Sequence, residues 1–357
     1  MTNSLTSATT AFLLAGLLTA GAIILLNRSG LAAASIDTPN HRSLHALPTA
    51  RIGGLAMLLA LIPTMLIWLP AGKMLAALFL AAALAAVSIV DDRINLPVIS
   101  RLAAHIVTAG LLVYLWASDS AAPGNVIAGS PVRGSGQLLS MACIVLLLLA
   151  LGWMTNLFNF MDGANGMAGG MAATGFATYA VAATVSPVPN SEIVLIGASI
   201  AGAACGFLPF NFPNARIFMG DAGSIPLGFL AAAIGIQGYL ASTWSWWFGV
   251  LVFSPFIVDA TTTLVRRLFQ GKRVWQAHRE HYYQRLILSG WSHQKTVASY
   301  YLLMLGSALS ALFSLNSELV CPIAIFWVIT YVLLIFSLEW RFHQEKKDKT
   351  RTIPGAK

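Results

Sequence analysis

The sequence predicts an all-α, polytopic membrane protein, on its composition, its eleven apolar runs of helix length and the one-sided placement of its Lys and Arg. Of 357 residues, 57% are hydrophobic and only 10% charged, with mean hydropathy +0.75; soluble domains carry about 25% charged residues. A helix needs about 20 apolar residues to cross the hydrocarbon. Runs of about that size lie near 9–27, 52–71, 74–90, 101–117, 137–155, 167–187, 191–210, 224–242, 245–265, 297–315 and 321–339. The first ten residues contain neither Lys nor Arg, so the first run reads as a retained span and not as a signal peptide.

With the N-terminus placed on the periplasmic side, every Lys and Arg except Lys73 and Arg133 falls inside, which sets the C-terminus in the cytoplasm. Trp244, Trp246 and Trp247 then fall at the outer interface, where an aromatic belt is expected. The net charge of +8 follows from this orientation and does not indicate a nucleic-acid partner. Cys143, Cys205 and Cys321 lie in separate apolar runs and read as small buried hydrophobes. Residues 1–340 read as one integral membrane unit. Residues 341–357 read as a disordered basic tail that can lie on anionic membrane lipid.

The same topology puts five polar segments on the cytoplasmic side: 37–54, 91–97, 156–166, 211–224 and 278–286. In the third, Asn156, Asn159, Asp162 and Asn165 stand among glycines, which allow the close backbone approach that a phosphate- or metal-binding loop needs. Asp91 and Asp92 are adjacent carboxylates, whose repulsion a hard cation such as Mg²⁺ would relieve. Asp221 stands at an inner helix start, where backbone N–H groups suit an anion. His278, Arg279, His281 and Arg285 lie in the largest inner loop and read as phosphate-binding cations. The spacing His-x-x-His also suits a transition metal, but no third close ligand supports one. Asn40, Arg42, His45 and Arg51 sit in a loop dense in Pro, Gly and His, which predicts an ordered shape able to meet a lipid phosphate. Asp259 lies inside the ninth run, where a carboxylate is costly and functional by default unless a neighbour satisfies it. His105, Glu192 and Glu318 carry no role on sequence grounds. A transporter would place polar residues along several spans; here, apart from Asp259, the charges sit at helix ends on one side.

The segments DTPNHRSLHALPTARIGG, VDDRINLP, NLFNFMDGANGMAGG, NFPNARIFMGDAGS and HREHYYQRL, in that order, resemble the polyprenyl-phosphate N-acetylhexosamine-1-phosphate transferases, the family 4 glycosyl transferases. The resemblance runs from about 37 to 286. It implies that a UDP-N-acetylhexosamine passes its sugar 1-phosphate to undecaprenyl phosphate with release of UMP, at the cytoplasmic face of a bacterial inner membrane. It also implies Mg²⁺, or Mn²⁺ in its place, and is compatible with a homodimer. Residue by residue, it implies catalytic roles for Asp91, Asp92 and Asp162, metal binding by Asp221 with Asp92, and nucleotide-sugar contacts for Asn156, Asn159, His278 and His281. Asn165 stands where the family pattern has a second Asp. The histidine loop lacks the consecutive histidines of the branch acting on UDP-muramoyl-pentapeptide. It is similar instead to the branch that starts O-antigen and other surface polysaccharides.

Overall fold

The computed structural model describes residues 2–39, 47–118, 136–276, 278–315 and 319–351. Each of the eleven apolar runs becomes helix. In order the helices are α1 (Thr2–Arg28), α2 (Gly53–Trp68), α3 (Lys73–Ile94), α4 (Val98–Ala117), α5 (Gly136–Met161), α6 (Met167–Val185), α7 (Ser191–Asn211), α8 (Asp221–Leu240), α9 (Trp247–Val252), α10 (Ser254–Phe269), α11 (Tyr282–Leu288), which lies outside the runs, α12 (His293–Ser314) and α13 (Val320–Arg351). Eight of the helices among the described residues are long and apolar enough to cross a membrane. The other runs depart for local reasons: α2 spans 16 residues, α6 is diluted by Gly and Thr, and the ninth run breaks at Phe253 into α9 and α10. The chain is a multi-pass, all-α membrane protein. Its strands among the described residues are β1 (Ile36–Asp37) and β2 (Thr49–Ala50), paired antiparallel.

Association of helices in lipid rests on close packing, because lipid tails are as apolar as Leu. Small residues provide it here. A Cβ at Gly202 of α7 would lie 2.0 Å from the Phe12 carbonyl oxygen of α1, and one at Gly206 would lie 2.2 Å from that of Gly16. α7 and α8 are the most enclosed of the eight long helices; α8 lies against α3 and α5, and Trp116 of α4 donates to Gln237 of α8 at 2.8 Å. α13 lies at the other extreme, with its apolar side chains largely exposed to the surroundings, as a lipid-facing helix requires.

Two expectations are corrected. Trp244 does not sit in an interfacial belt. It is buried, stacked on Tyr179 at 5.0 Å and Phe248 at 4.8 Å, because Gly238 leaves room for its ring; Trp246 is the exposed one. The tail is not a disordered strand of charge from 341 onward. α13 continues to Arg351, helped by an Arg341–Glu345 pair one turn apart at 2.9 Å and by the Arg341 guanidinium over the Trp291 ring.

Candidate active site

One end of the bundle gathers the polar helix ends, and the docking of residues 49–54 on residues 217–219 organises it. Phe218 N–H donates to the Ala50 carbonyl at 2.8 Å, and Gly53 and Gly54 N–H donate to Phe218 and Met219 at 2.9 Å each. This ladder closes only because Gly54 meets Gly223: a Cβ on Gly54 would stand 2.2 Å from the Gly223 nitrogen. Arg51 is thereby laid against Gly220, which takes a positive φ of 71° one residue before α8 begins at Asp221. The Arg51 guanidinium reaches Asp37 at 2.7 Å and Asp92 at 3.6 Å.

Around Arg51 the three aspartates come together. Asp92 lies within electrostatic range of Asp221 and Arg51, and Asp162 within range of the same two. Asn159, from the last turn of α5, donates to Asp221 Oδ1 at 2.8 Å and to Ser224 Oγ at 3.2 Å. Burial first, and the Asp221 charge second, push the Asp162 carboxyl well above the usual carboxylate range. A group so placed favours a cation or a proton. Asp91 faces away, since neighbours on a helix diverge by about 100°. Its Oδ1 accepts the Leu96 N–H at 2.7 Å and its Oδ2 pairs with Arg101 at 3.0 Å, so it ties α3 to the start of α4. Arg51 is the nearest compensating cation, so Arg51→Ala is expected to lower the thermal midpoint by a few degrees without divalent cation. Added Mg²⁺ should then recover more of the midpoint than in the parent protein, as read by a thermal-shift titration.

The histidine loop joins this cluster through aromatic contacts. His281 is buried, its ring 5.8 Å from Phe160, 6.1 Å from Tyr283 and 4.9 Å from His278. Tyr283 O–H donates to the Phe160 carbonyl at 2.9 Å and sits against Gly163, linking the loop to the Asp162 turn. Burial first, then the neighbouring His281 and Arg267, push the His278 imidazole down to about 4. It is neutral at neutral pH, and its Nδ1 accepts the Glu280 N–H at 3.3 Å. The expectation of a cationic His278 is therefore corrected: it offers a neutral imidazole beside half-buried Arg279.

Other expected site residues are placed elsewhere. Asn156 donates back to Gly152 at 2.7 Å in its own helix, and Asn165 donates to the Pro213 carbonyl at 3.2 Å, pinning the glycine turn to the 211–217 segment. Arg285 is held bidentately by Glu339 of α13 and lies over the Phe342 ring at 4.0 Å, so its charge is already used. Asn40, Arg42 and His45 lie outside the described residues. On sequence grounds Asp37 is only the start of the 37–54 segment, and His105 carries no role. Asp37 is the first residue of the loop motif and pairs with Arg51, while His105 lies within electrostatic range of Arg101 and Asp221. The place of His105 within the fourth apolar run does not show which side of α4 it faces.

Among the described residues no three His, Cys, Asp or Glu side chains form a ready metal cage. The donor set still fits Mg²⁺, which keeps several waters and typically takes one or two carboxylates plus substrate phosphates. Asp92 and Asp221 are such a pair, mutually repelling and with Arg51 as their compensation. Beside Asp92 opens a cleft of about 290 Å³. Leu26, Leu31, Leu55 and Ile89 line it, together with Arg51 and Arg93. The cleft is amphiphilic, as a site for lipid phosphate chemistry must be.

An acidic, Asn-braced pocket thus lies at helix ends with an aliphatic cleft beside it, in a chain of the multi-pass membrane class. The glycosyl transferase family 4 model matches residues 74–239. The chain is 30% identical to the decaprenyl-phosphate N-acetylglucosaminephosphotransferase of Mycobacterium tuberculosis over 75% of its own length and 72% of that protein. It is 25% identical to a probable undecaprenyl-phosphate N-acetylglucosaminyl 1-phosphate transferase of Bacillus subtilis, over 87% of this chain and 85% of the relative. A phospho-N-acetylmuramoyl-pentapeptide-transferase of Oceanobacillus iheyensis is 29% identical over only 44% of this chain and 47% of its own. The chain belongs to glycosyl transferase family 4 and is a transferase.

Proposed function

We propose that this enzyme transfers N-acetylhexosamine 1-phosphate from a UDP-N-acetylhexosamine to undecaprenyl phosphate, at the cytoplasmic face of a bacterial inner membrane. The products are undecaprenyl-diphosphate-sugar, which primes O-antigen or another surface polysaccharide, and UMP. The observation that carries this reading is the meeting of Asp92, Asp162 and Asp221 around Arg51 beside an aliphatic cleft. The extended match to proteins named for N-acetylglucosamine transfer favours that sugar, and the short match to the pentapeptide transferases disfavours theirs.

In the reaction an oxygen of the lipid phosphate attacks the β-phosphorus of the donor. The bond from that phosphorus to the bridging oxygen breaks, and UMP leaves with the oxygen. A phosphate monoester has its second pKa near 6, so the nucleophile is largely ionised without a base. Such chemistry asks the protein for positioning and charge neutralisation. Asn159 fixes the Asp221 carboxylate, and Arg51 fixes that of Asp92. These two carboxylates would hold Mg²⁺, which when bound neutralises charge on the diphosphate. Arg279, His278 and His281 would donate to phosphate oxygens, and Asp91 holds Arg101.

Membranes containing the protein should release UMP from one member of a panel of UDP-N-acetylhexosamines, only when undecaprenyl phosphate and Mg²⁺ are present. The lipid product should gain the mass of one N-acetylhexosamine phosphate. Chelation should stop turnover, and Mg²⁺ should restore it. Accumulation of labelled sugar inside vesicles without lipid-linked product would replace this reading with transport.

A further inference from the structure

Asp259 is a buried carboxylate that the mechanism above leaves unused. It lies in α10, and α11 and α12 meet it there. Its Oδ1 accepts the Tyr282 N–H at 2.8 Å and the Thr263 hydroxyl at 3.2 Å; its Oδ2 accepts the Tyr283 N–H at 3.1 Å and the Tyr300 hydroxyl. The two backbone donors open α11, directly after His281, and are groups that a helix start otherwise leaves without partners. One carboxylate from a neighbouring helix thus caps the element that follows the histidine motif.

The same carboxylate faces His281. Asp259 Oδ1 stands 3.5 Å from His281 Nδ1, and both residues are buried. Hydrogen bonds at catalytic sites are often long without substrate and tighten in the productive complex. A carboxylate at one ring nitrogen fixes the tautomer and leaves the other nitrogen for the ligand. Tyr283, held by Asp259 through its N–H, carries the constraint to Phe160 and the Asp162 turn.

We infer that Asp259 is a positioning residue for the transfer reaction, holding His281 and the start of α11 so that the imidazole meets the donor diphosphate. This rests on the transferase reading given above. Other groups press on the loop without reaching His281 in this way. Arg266 donates to the Glu280 carbonyl at 2.7 Å, and Arg267 and Lys272 pair with the Glu280 carboxylate. They fix its outer edge, while Asp259 fixes its inner one.

The test is a double-mutant cycle on detergent-solubilised full-length protein. Asp259→Asn keeps the shape and an acceptor oxygen but removes the charge. It is expected to lower kcat by about 10–100-fold, the usual cost of losing such a supporting partner, with the KM for the UDP-sugar moving less than about threefold. In the His281→Ala background the same change should cost less than about threefold, because its effect runs through the imidazole. Tyr300→Phe removes one contact to the same carboxylate, at Oδ2, and controls for folding. It should give a small kcat loss of the same kind at an unchanged thermal midpoint. Full additivity of Asp259→Asn with His281→Ala, or a loss confined to the thermal midpoint, would overturn the inference. Absence of lipid-linked product from the parent protein would instead overturn the transferase reading itself.

Discussion

Replacing Asp221 with asparagine is expected to lower transferase turnover by at least about 100-fold, roughly 2.7 kcal/mol of lost stabilisation, while the thermal midpoint stays level or rises. The two effects have one cause. Asp221 stands within electrostatic range of Asp92 and Asp162, and without a divalent cation that crowding is unfavourable. An amide relieves the repulsion and can still accept from Asn159. It cannot supply the charge that a hard cation needs. Activity against Mg²⁺ concentration, with thermal unfolding of the same sample, checks both halves. Near-normal Mg²⁺-dependent turnover in the variant would remove Asp221 from the metal site. Opposed changes in stability and activity are what a functional carboxylate cluster should show.

The second large effect is expected at Gly54. Adding one methyl places a carbon 2.2 Å from the Gly223 nitrogen and 2.3 Å from its Cα. Both are backbone atoms of an enclosed helix, so no side chain can swing aside. Overpacking typically costs about 1–3 kcal/mol where side chains can adjust, and here the cost should reach or pass the top of that range. Gly54→Ala should lower the thermal midpoint and abolish turnover together, because the shift separates Arg51 from Asp221. Gly21→Ala provides the contrast: nothing lies within 4 Å of its added carbon, so it should behave like the parent protein.

Some of this was legible along the chain. Asp92, Asp162 and Asp221 stood out because a polar cluster at the end of an apolar run has no packing reason to be there, and Asp92 and Asp162 each lie within electrostatic range of Asp221. Each of the eleven apolar runs turned into helix, since partition of side chains into lipid is a property of each segment by itself. Arg51 was read as a loop cation, and the structure puts it at the centre of the carboxylates. Arg285 was read as a phosphate ligand, yet Glu339, 54 residues further on, claims it. Neither pairing leaves a periodic or compositional trace.

Residue chemistry and order determined that this protein is built of apolar helices, that its polar groups collect at their ends, and which carboxylates could serve phosphate chemistry. Only the tertiary structure decided the facing. The choice between Asp91 and Asp92 depends on the rotation of α3 against α8. The role of Asp259 depends on α10, α11 and α12 meeting at one oxygen pair. Burial in a bilayer is decided segment by segment, but the rotation of one helix against another is set where their backbones touch, as at Gly54 and Gly223. That contact joins positions far apart in the chain, so it appears only once the helices are packed.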